Sequence, residues 1–279
     1  MKKTMLVAGV LAACVALAGS GMAVQTVQVK GSDTLVHLSS AWAEKFMQAN
    51  PGMEVAVTGG GSGTGISALI NGTTDLANAS REMKASEKAT IEGQGLKVQE
   101  YTVALDGIAV IVNPSNPLAS LTMEQVKQLY TGQISKWAGV GGGEGKVLLY
   151  TRDSSSGTFA FFQEHVLKMK DYSVKSRRLA SNSAIVQGVA EDLNAIGYVG
   201  LGYVQEAGNK VKVLKISKDA SSPAILPSVP TVKDNSYPIS RGLFVYAKGE
   251  PQGAVKAFVD FMLSAAGQTI VEEMGFVSK

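Results

Sequence analysis

VQVKGSDTLVHLSSAWAEKFMQANPGMEVAVTGGGSGTGISALI, residues 27–70, decides how this chain folds. Val27 and Val29 alternate with Gln28 and Lys30, the period of a half-buried strand. The polar turn Gly31-Ser32-Asp33-Thr34 follows. Leu35, Leu38, Trp42 and Phe46 then recur at helical spacing, with His37, Glu44 and Gln48 on the opposite face, until Asn50-Pro51-Gly52 stops the helix. The unit repeats at once. A strand over 54–57 runs into a Gly-rich turn, 59–65, and a helix opens near Ile66. Strands alternating with helices predict an α/β fold with a parallel or mostly parallel sheet.

The pattern continues outward. A third strand, 74–79, ends in Ser80-Arg81. A long apolar strand, 101–112, is expected to break at Asp106-Gly107. Thr122 with Gln125 is a capping-box pattern and predicts a helix to about Tyr130. A strand at 146–150 leads into Arg152-Asp153-Ser154-Ser155-Ser156-Gly157-Thr158 and a helix carrying Phe159, Phe162 and Val166. Strands are expected at 195–199, 211–216 and 242–247, a Pro-rich crossing between the last two, and one helix over 252–274. Trp42 reads as core and Trp137 as packing; Lys175 with Arg177-Arg178 reads as a solvated basic face.

Composition narrows the class. The 279 residues are 45% hydrophobic and 18% charged, which excludes a disordered or highly charged tail protein. A formal net charge of +3 gives no broad nucleic-acid surface. One cysteine, Cys14, excludes an internal disulfide and a thiolate metal cluster. His37 and His165 have no partner at metal-site spacing.

The N-terminus has the order of an export signal: Lys2-Lys3, an apolar run from Met5 to Gly19, then small residues to Ala23. The run is shorter than the ~20 residues a spanning helix needs. Gly21-Met22-Ala23 suits cleavage before Val24, whereas Leu11-Ala12-Ala13-Cys14 resembles a lipobox that would place a lipid on Cys14. Either route puts the protein outside the cytoplasmic membrane. From Val24 onward 24 basic residues face 23 acidic ones, so the mature chain is nearly neutral.

Four hydroxyl-rich turns lie between a strand end and a helix start, where ligands of open α/β sheets bind. Unpaired N–H groups and partial positive charge at a helix start attract anions. Gly lets backbone approach a ligand, and Ser, Thr and Arg add donors. Each turn alone also serves as an ordinary cap. Enzyme signatures fail: 59–65 lacks the Lys of a P-loop, Thr64 stands where a nucleophile elbow needs Gly, and no acidic pair marks a strand end. No catalytic residue and no cofactor are expected.

At these turns the sequence resembles the phosphate-binding proteins of bacterial phosphate ABC importers, the PstS family. The carrying motifs are Gly31-Ser32-Asp33-Thr34-Leu35, Gly61-Ser62-Gly63-Thr64-Gly65-Ile66, Ala79-Ser80-Arg81 and 152–158, with 106–110 and Tyr237-Pro238-Ile239-Ser240-Arg241 at the crossings. The resemblance implies a two-domain periplasmic-binding-protein clamshell (type II), mostly parallel in each sheet, with the ligand cleft between domains. Its domains would be 24–105 plus 236–279, and 106–235. It implies inorganic phosphate bound by Ser32, Asp33, Thr34, Leu35, Ser62, Gly63, Ser80, Arg81, Arg152, Ser156, Gly157 and Thr158, with Leu35 and Gly63 donating backbone N–H groups. It also implies a periplasmic monomer and a membrane permease as partner. One departure stands out: some members carry Asp after the serine equivalent to Ser80, where this chain has Arg81. That Asp accepts the phosphate proton and rejects sulfate. Asp33 is the candidate replacement and Asp106 a second, unless Asp106 orients Arg152 or the crossing strands. Asp153 is expected beside Arg152. Another tetrahedral oxyanion (sulfate, molybdate or tungstate) is the alternative ligand.

Overall fold

The computed structural model describes residues 25–279. The signal segment, both cleavage readings and Cys14 lie outside the described residues.

The first strand, β1 (Gln25–Gly31), buries Val27 and Val29 and exposes the residues between them, as its alternation requires. A single 3-10 turn, Asp33–Leu35, leads into α1 (Val36–Ala49), whose Leu38, Trp42 and Phe46 are buried. The Trp42 indole N–H donates to the Gly267 carbonyl at 2.8 Å, which satisfies the polar atom of an otherwise apolar ring. Then come β2 (Met53–Thr58), α2 (Ser62–Ile70), β3 (Leu76–Ala79) and α3 (Ala85–Glu92). The Gly-rich run is less loop than expected. Gly60 and Gly61 take φ of +111° and +98°, and the helix starts at Ser62. Only Gly adopts that turn without strain.

The long strand β4 (Val98–Val112) is continuous through Asp106-Gly107, against expectation. Its polar residue is satisfied in place: the register sets Arg241 directly opposite Asp106. Val232 and Tyr237 pack where a side chain on Gly107 would project. The second half follows as β5 (Ser120–Thr122), α4 (Met123–Tyr130), β6 (Leu148–Arg152), α5 (Gly157–His165), β7 (Arg177–Leu179), α6 (Asn182–Glu191), β8 (Ala195–Gly200) and α7 (Leu201–Ala207). The capping box opens α4: Thr122 Oγ1 accepts from Gln125 N–H at 3.0 Å and Gln125 Oε1 from Thr122 N–H at 2.8 Å. The strand expected over 211–216 is two pieces, β9 (Lys212–Val213) and β10 (Lys215–Ser217). A short α8 (Val229–Lys233) precedes β11 (Ser240–Lys248). The expected final helix is also two, α9 (Gly253–Leu263) and α10 (Ala265–Glu273), bent by 61°. Ser264 caps α10 there, its Oγ accepting from Gly267 N–H.

Among the described residues nine strands form one mixed sheet, β2-β1-β3-β11-β4-β8-β6-β7, with β9 also on β4. Parallel ladders lie at both ends; β11 and β4 run antiparallel through the centre. The first half of β4 pairs with β11 and its second half with β8, so these strands join two lobes. The core divides with them. One group surrounds Leu38, Trp42, Phe46 and Phe258; another surrounds Tyr130, Phe162 and Tyr198, and reaches Val277 near the C-terminus. Trp137 is buried, its indole N–H donating to Asn194 O at 3.1 Å, so it is a packing residue.

Candidate functional site

Three helix starts meet between the lobes: the turn at Ser32–Leu35, the first turn of α2 and the first turn of α5. The end of β3 joins them through Ser80. Ser32 Oγ donates to Ser80 Oγ at 2.8 Å, Ser62 Oγ lies 3.3 Å from Ser80 Oγ, and Ser80 N–H donates to Ser62 Oγ at 3.0 Å. Thr34 Oγ1 and Thr158 Oγ1 share a hydrogen bond of 3.0 Å across the lobes. All five hydroxyl residues are buried. Gly157 lies against Ser62 and Ser80 so closely that a Cβ there would overlap both hydroxyls. Ser156 caps α5, its Oγ accepting from Phe159 N–H at 3.3 Å.

Two backbone donors are spoken for. Leu35 N–H closes the first turn onto Ser32 O at 3.1 Å, and Gly63 N–H reaches across to Ser155 O at 2.9 Å. In this arrangement neither is free to donate to an anion, a correction to the roles expected of them.

Arg152, at the end of β6, is the deepest cation. Its side chain is 1% exposed. Leu179 O and Ala180 O hold Nε and Nη2 at 3.3 and 2.7 Å. Nη1 lies 3.2 Å from Asp33 Oδ2 and has no hydrogen-bond partner. A buried guanidinium with one unspent N–H has strong electrostatic pull, because little water screens it. Asp153 is not its partner: Asp153 Oδ1 accepts from Ser155 N–H and Oγ–H. The partner is Asp33, from the other lobe. Asp33 Oδ2 also accepts from Asn182 N–H at 2.8 Å and Nδ2 at 2.7 Å, while its carbonyl accepts from the Tyr203 hydroxyl at 2.6 Å. Burial and the nearby Asp33 charge push the Tyr203 phenol up, so it stays a neutral donor.

Arg81 is placed elsewhere. Its two Nη atoms grip Glu87 at 2.8 and 2.7 Å, and Nη1 also donates to Glu82 O. Burial alone would raise the Glu87 carboxyl, but the Arg81 hydrogen bonds and charge outweigh it and hold it below its usual value. The expectation that Arg81 joins the hydroxyl cluster is corrected: a bidentate pair within its own lobe occupies it.

Sequence reasoning missed Arg241 as a site residue. Its Nε and Nη2 bind Asp106 Oδ2 at 3.1 and 2.8 Å, Nη1 donates to Ser80 O at 2.8 Å, and Nη2 lies 3.4 Å from Thr34 Oγ1. Its guanidinium lies over the Phe161 ring at 5.6 Å. Asp106 therefore orients Arg241, not Arg152, and its other oxygen accepts from Leu201 N–H. Burial pushes the Asp106 carboxyl up, opposed by the charge and hydrogen bonds of Arg241. A signal existed in the segment 237–241; the β4–β11 register that uses it did not. Asn182 was missed too, because its meeting with Asp33 spans 149 residues of sequence.

Among the described residues no group of three His, Cys, Asp or Glu could hold a metal ion. What the cluster offers is hydroxyl donors, helix starts and one unspent guanidinium N–H, a set suited to a small oxyanion.

The comparisons agree with that chemistry. Residues 17–266 match the model of the PBP superfamily domain. The chain is 34% identical over 267 residues to a phosphate-binding protein PstS of Staphylococcus saprophyticus, covering 94% of this chain and 82% of that one. It is 32% identical to a phosphate-binding protein PstS of Pseudomonas aeruginosa, covering 88% and 81%. A structure from Clostridium perfringens, described as a phosphate ABC transporter substrate-binding protein with bound phosphate, matches with a TM-score of 0.83 at 31% identity, covering 91% and 100%. An ABC-type phosphate transport receptor from Vibrio cholerae matches with a TM-score of 0.74 at 28% identity, covering 91% and 100%.

Proposed function

We propose, on the premise that this chain belongs to the PstS family of phosphate-binding proteins within the PBP superfamily, that it binds inorganic phosphate outside the cytoplasmic membrane and delivers it to an ABC-type importer. The observation that carries the reading is the unspent Nη1 of Arg152, buried beside hydroxyls from both lobes. Ser32, Thr34, Ser62, Ser80, Ser156 and Thr158 supply hydroxyls, Gly157 the close approach, and Arg152 the charge. Arg241 orients the Thr34 hydroxyl and the end of β3. Asp33, with Oδ2 tied to Asn182, presents Oδ1 to the phosphate proton. Among the described residues no hydrogen bond reaches that oxygen, which supports the assignment.

The lobes are 24–105 with 236–279, and 106–235, a division supported by the separation of the two core groups. Anion binding draws donors from both lobes and excludes water, which strengthens each contact. The permease reads the joined lobes, a hinge-type switch. The protein acts as a monomer and catalyses nothing: its task is capture and release. Export follows cleavage before Val24; mass spectrometry of the mature N-terminus separates that from a lipidated Cys14.

The test is calorimetric titration with phosphate and then sulfate, after unfolding, dialysis and refolding to strip copurified ligand. Micromolar or tighter phosphate binding, about −8 kcal/mol or stronger, with little sulfate response is the expected result. Equal or preferred binding of sulfate, molybdate or tungstate would replace phosphate as the ligand, and no heat with any of them would refute the transport reading.

A further inference from the structure

We propose that one face of the second lobe, the loop Lys168–Arg178 with the groove beside it, is a contact surface for anionic phospholipid headgroups. The loop holds Lys168, Lys170, Lys175, Arg177 and Arg178 against a single acid, Asp171, a net charge of +4. The chain from Val24 is +1 overall, so everything outside this loop is net −3. The positive charge is local, not spread over the molecule.

Exposed cations alone would be an ordinary solvated face. The apolar side chains between them are not ordinary. Val174 is 100% exposed and Met169 71% exposed, the two highest values among large hydrophobic side chains of the described residues. They are held there by a fixed backbone. Lys168 and Met169 take φ of +54° and +63°, a left-handed conformation that costs non-glycine residues roughly 1–3 kcal/mol each. Hydrogen bonds from Met169 N–H to Gln163 O and from Ser173 N–H to Tyr130 O pin the loop on either side of Tyr172, which is buried and bonded to Phe159 O. A rigid loop thus presents two apolar side chains among five cations.

Beside Val174 lies a groove of about 340 Å³ whose walls include Ile134, Val147 and Leu149. Lys136 and Lys146 pair as a bridge at its edge and are exposed. The acids near this face are Asp171, in the groove wall, and Glu144, two residues from Lys146. Cations flanking shallow apolar side chains match an anionic interface: headgroups neutralise the charge and the apolar tips enter the acyl boundary. An exported receptor serving a membrane importer works within reach of such a surface.

The test is sedimentation of the chain from Val24, which contains every described element and lacks Cys14, with vesicles of phosphatidylglycerol and phosphatidylcholine or of phosphatidylcholine alone. The wild type should bind the anionic vesicles, release at high salt, and ignore the neutral ones. K170E/K175E, and separately M169S/V174S, should each lower partition at least about tenfold. K45E/K97E, an equal charge change on exposed residues of the first lobe, should leave it nearly unchanged. Phosphate affinity should be unaltered in all three, so a folding defect is separable. No binding by the wild type, binding to neutral vesicles alone, or an equal loss in K45E/K97E would overturn the proposal. In the first case an acidic protein face becomes the partner to seek.

Discussion

Gly157→Ala should nearly abolish phosphate binding while leaving the free protein folded. Gly157 is the first residue of α5, and its φ is not among the positive values, so Ala fits the backbone. In a helix Ala is favoured over Gly by up to about 1 kcal/mol, so the unliganded melting temperature should hold or rise. The added Cβ, however, would stand 2.7 Å from Ser80 Oγ and 2.9 Å from Ser62 Cβ, and closer still to Ser62 Oγ. Ordinary contact needs about 3.4 Å or more. The hydroxyls have little room to retreat, since Ser62 Oγ accepts from Ser80 N–H and all three residues are buried. The start of α5 must instead withdraw by roughly an ångström. That stretches the bonds between Thr34 and Thr158 and between Gly63 and Ser155, now 3.0 and 2.9 Å. Two such bonds at about 1 kcal/mol each, plus misplaced donors to the anion, amount to about 2–3 kcal/mol. The expected result is a 30- to 150-fold weaker phosphate Kd by calorimetry on stripped protein. A change under about threefold, with the melting temperature intact, would show that the lobes do not close on this contact.

Three further outcomes are expected. Arg152→Ala removes one charge-assisted donor and leaves Asp33 short of a cation, so phosphate Kd should weaken by at least about tenfold; unchanged affinity would remove Arg152 from the site. Asp33→Asn should narrow the phosphate-to-sulfate affinity ratio, read by competition, because an amide no longer repels sulfate; a ratio unchanged from wild type would exclude Asp33 as the proton acceptor. Glu87 sits below its usual value in the native state. Its carboxylate therefore adds stability that is complete above the unfolded value, near 4.5, and is lost as pH falls through the lower native one. Glu87→Gln should flatten the acid limb of melting temperature against pH without altering phosphate affinity; an unchanged limb would show that the Arg81 pair does not stabilise the fold.

The site assignments that held and those that moved differ in kind. Ser32, Ser62, Ser80 and Thr158 ended where strand-turn-helix spacing puts them, because each belongs to a local turn. Arg81 follows the same local rule and yet goes to Glu87, six residues on, because a bidentate carboxylate on the adjoining helix is within reach. Arg152 was assigned to Asp153 by adjacency, but Asp153 turned to the Ser155 amide and hydroxyl and left Asp33 of the other lobe as the counter-charge.

The sequence by itself determined the α/β class, the positions of the anion-seeking turns and the apolar faces of the first helices. Hydrophobic period, capping residues and glycine conformation act over a few residues. Only the tertiary structure decided which polar groups meet. The continuous β4 sets Asp106 opposite Arg241, 135 residues away, and closure sets Asp33 against Asn182 and Thr34 against Thr158. Those pairings depend on strand register and on the approach of two lobes. No local pattern encodes either, since the groups that satisfy one another's charge and hydrogen bonds are adjacent only after the chain has folded.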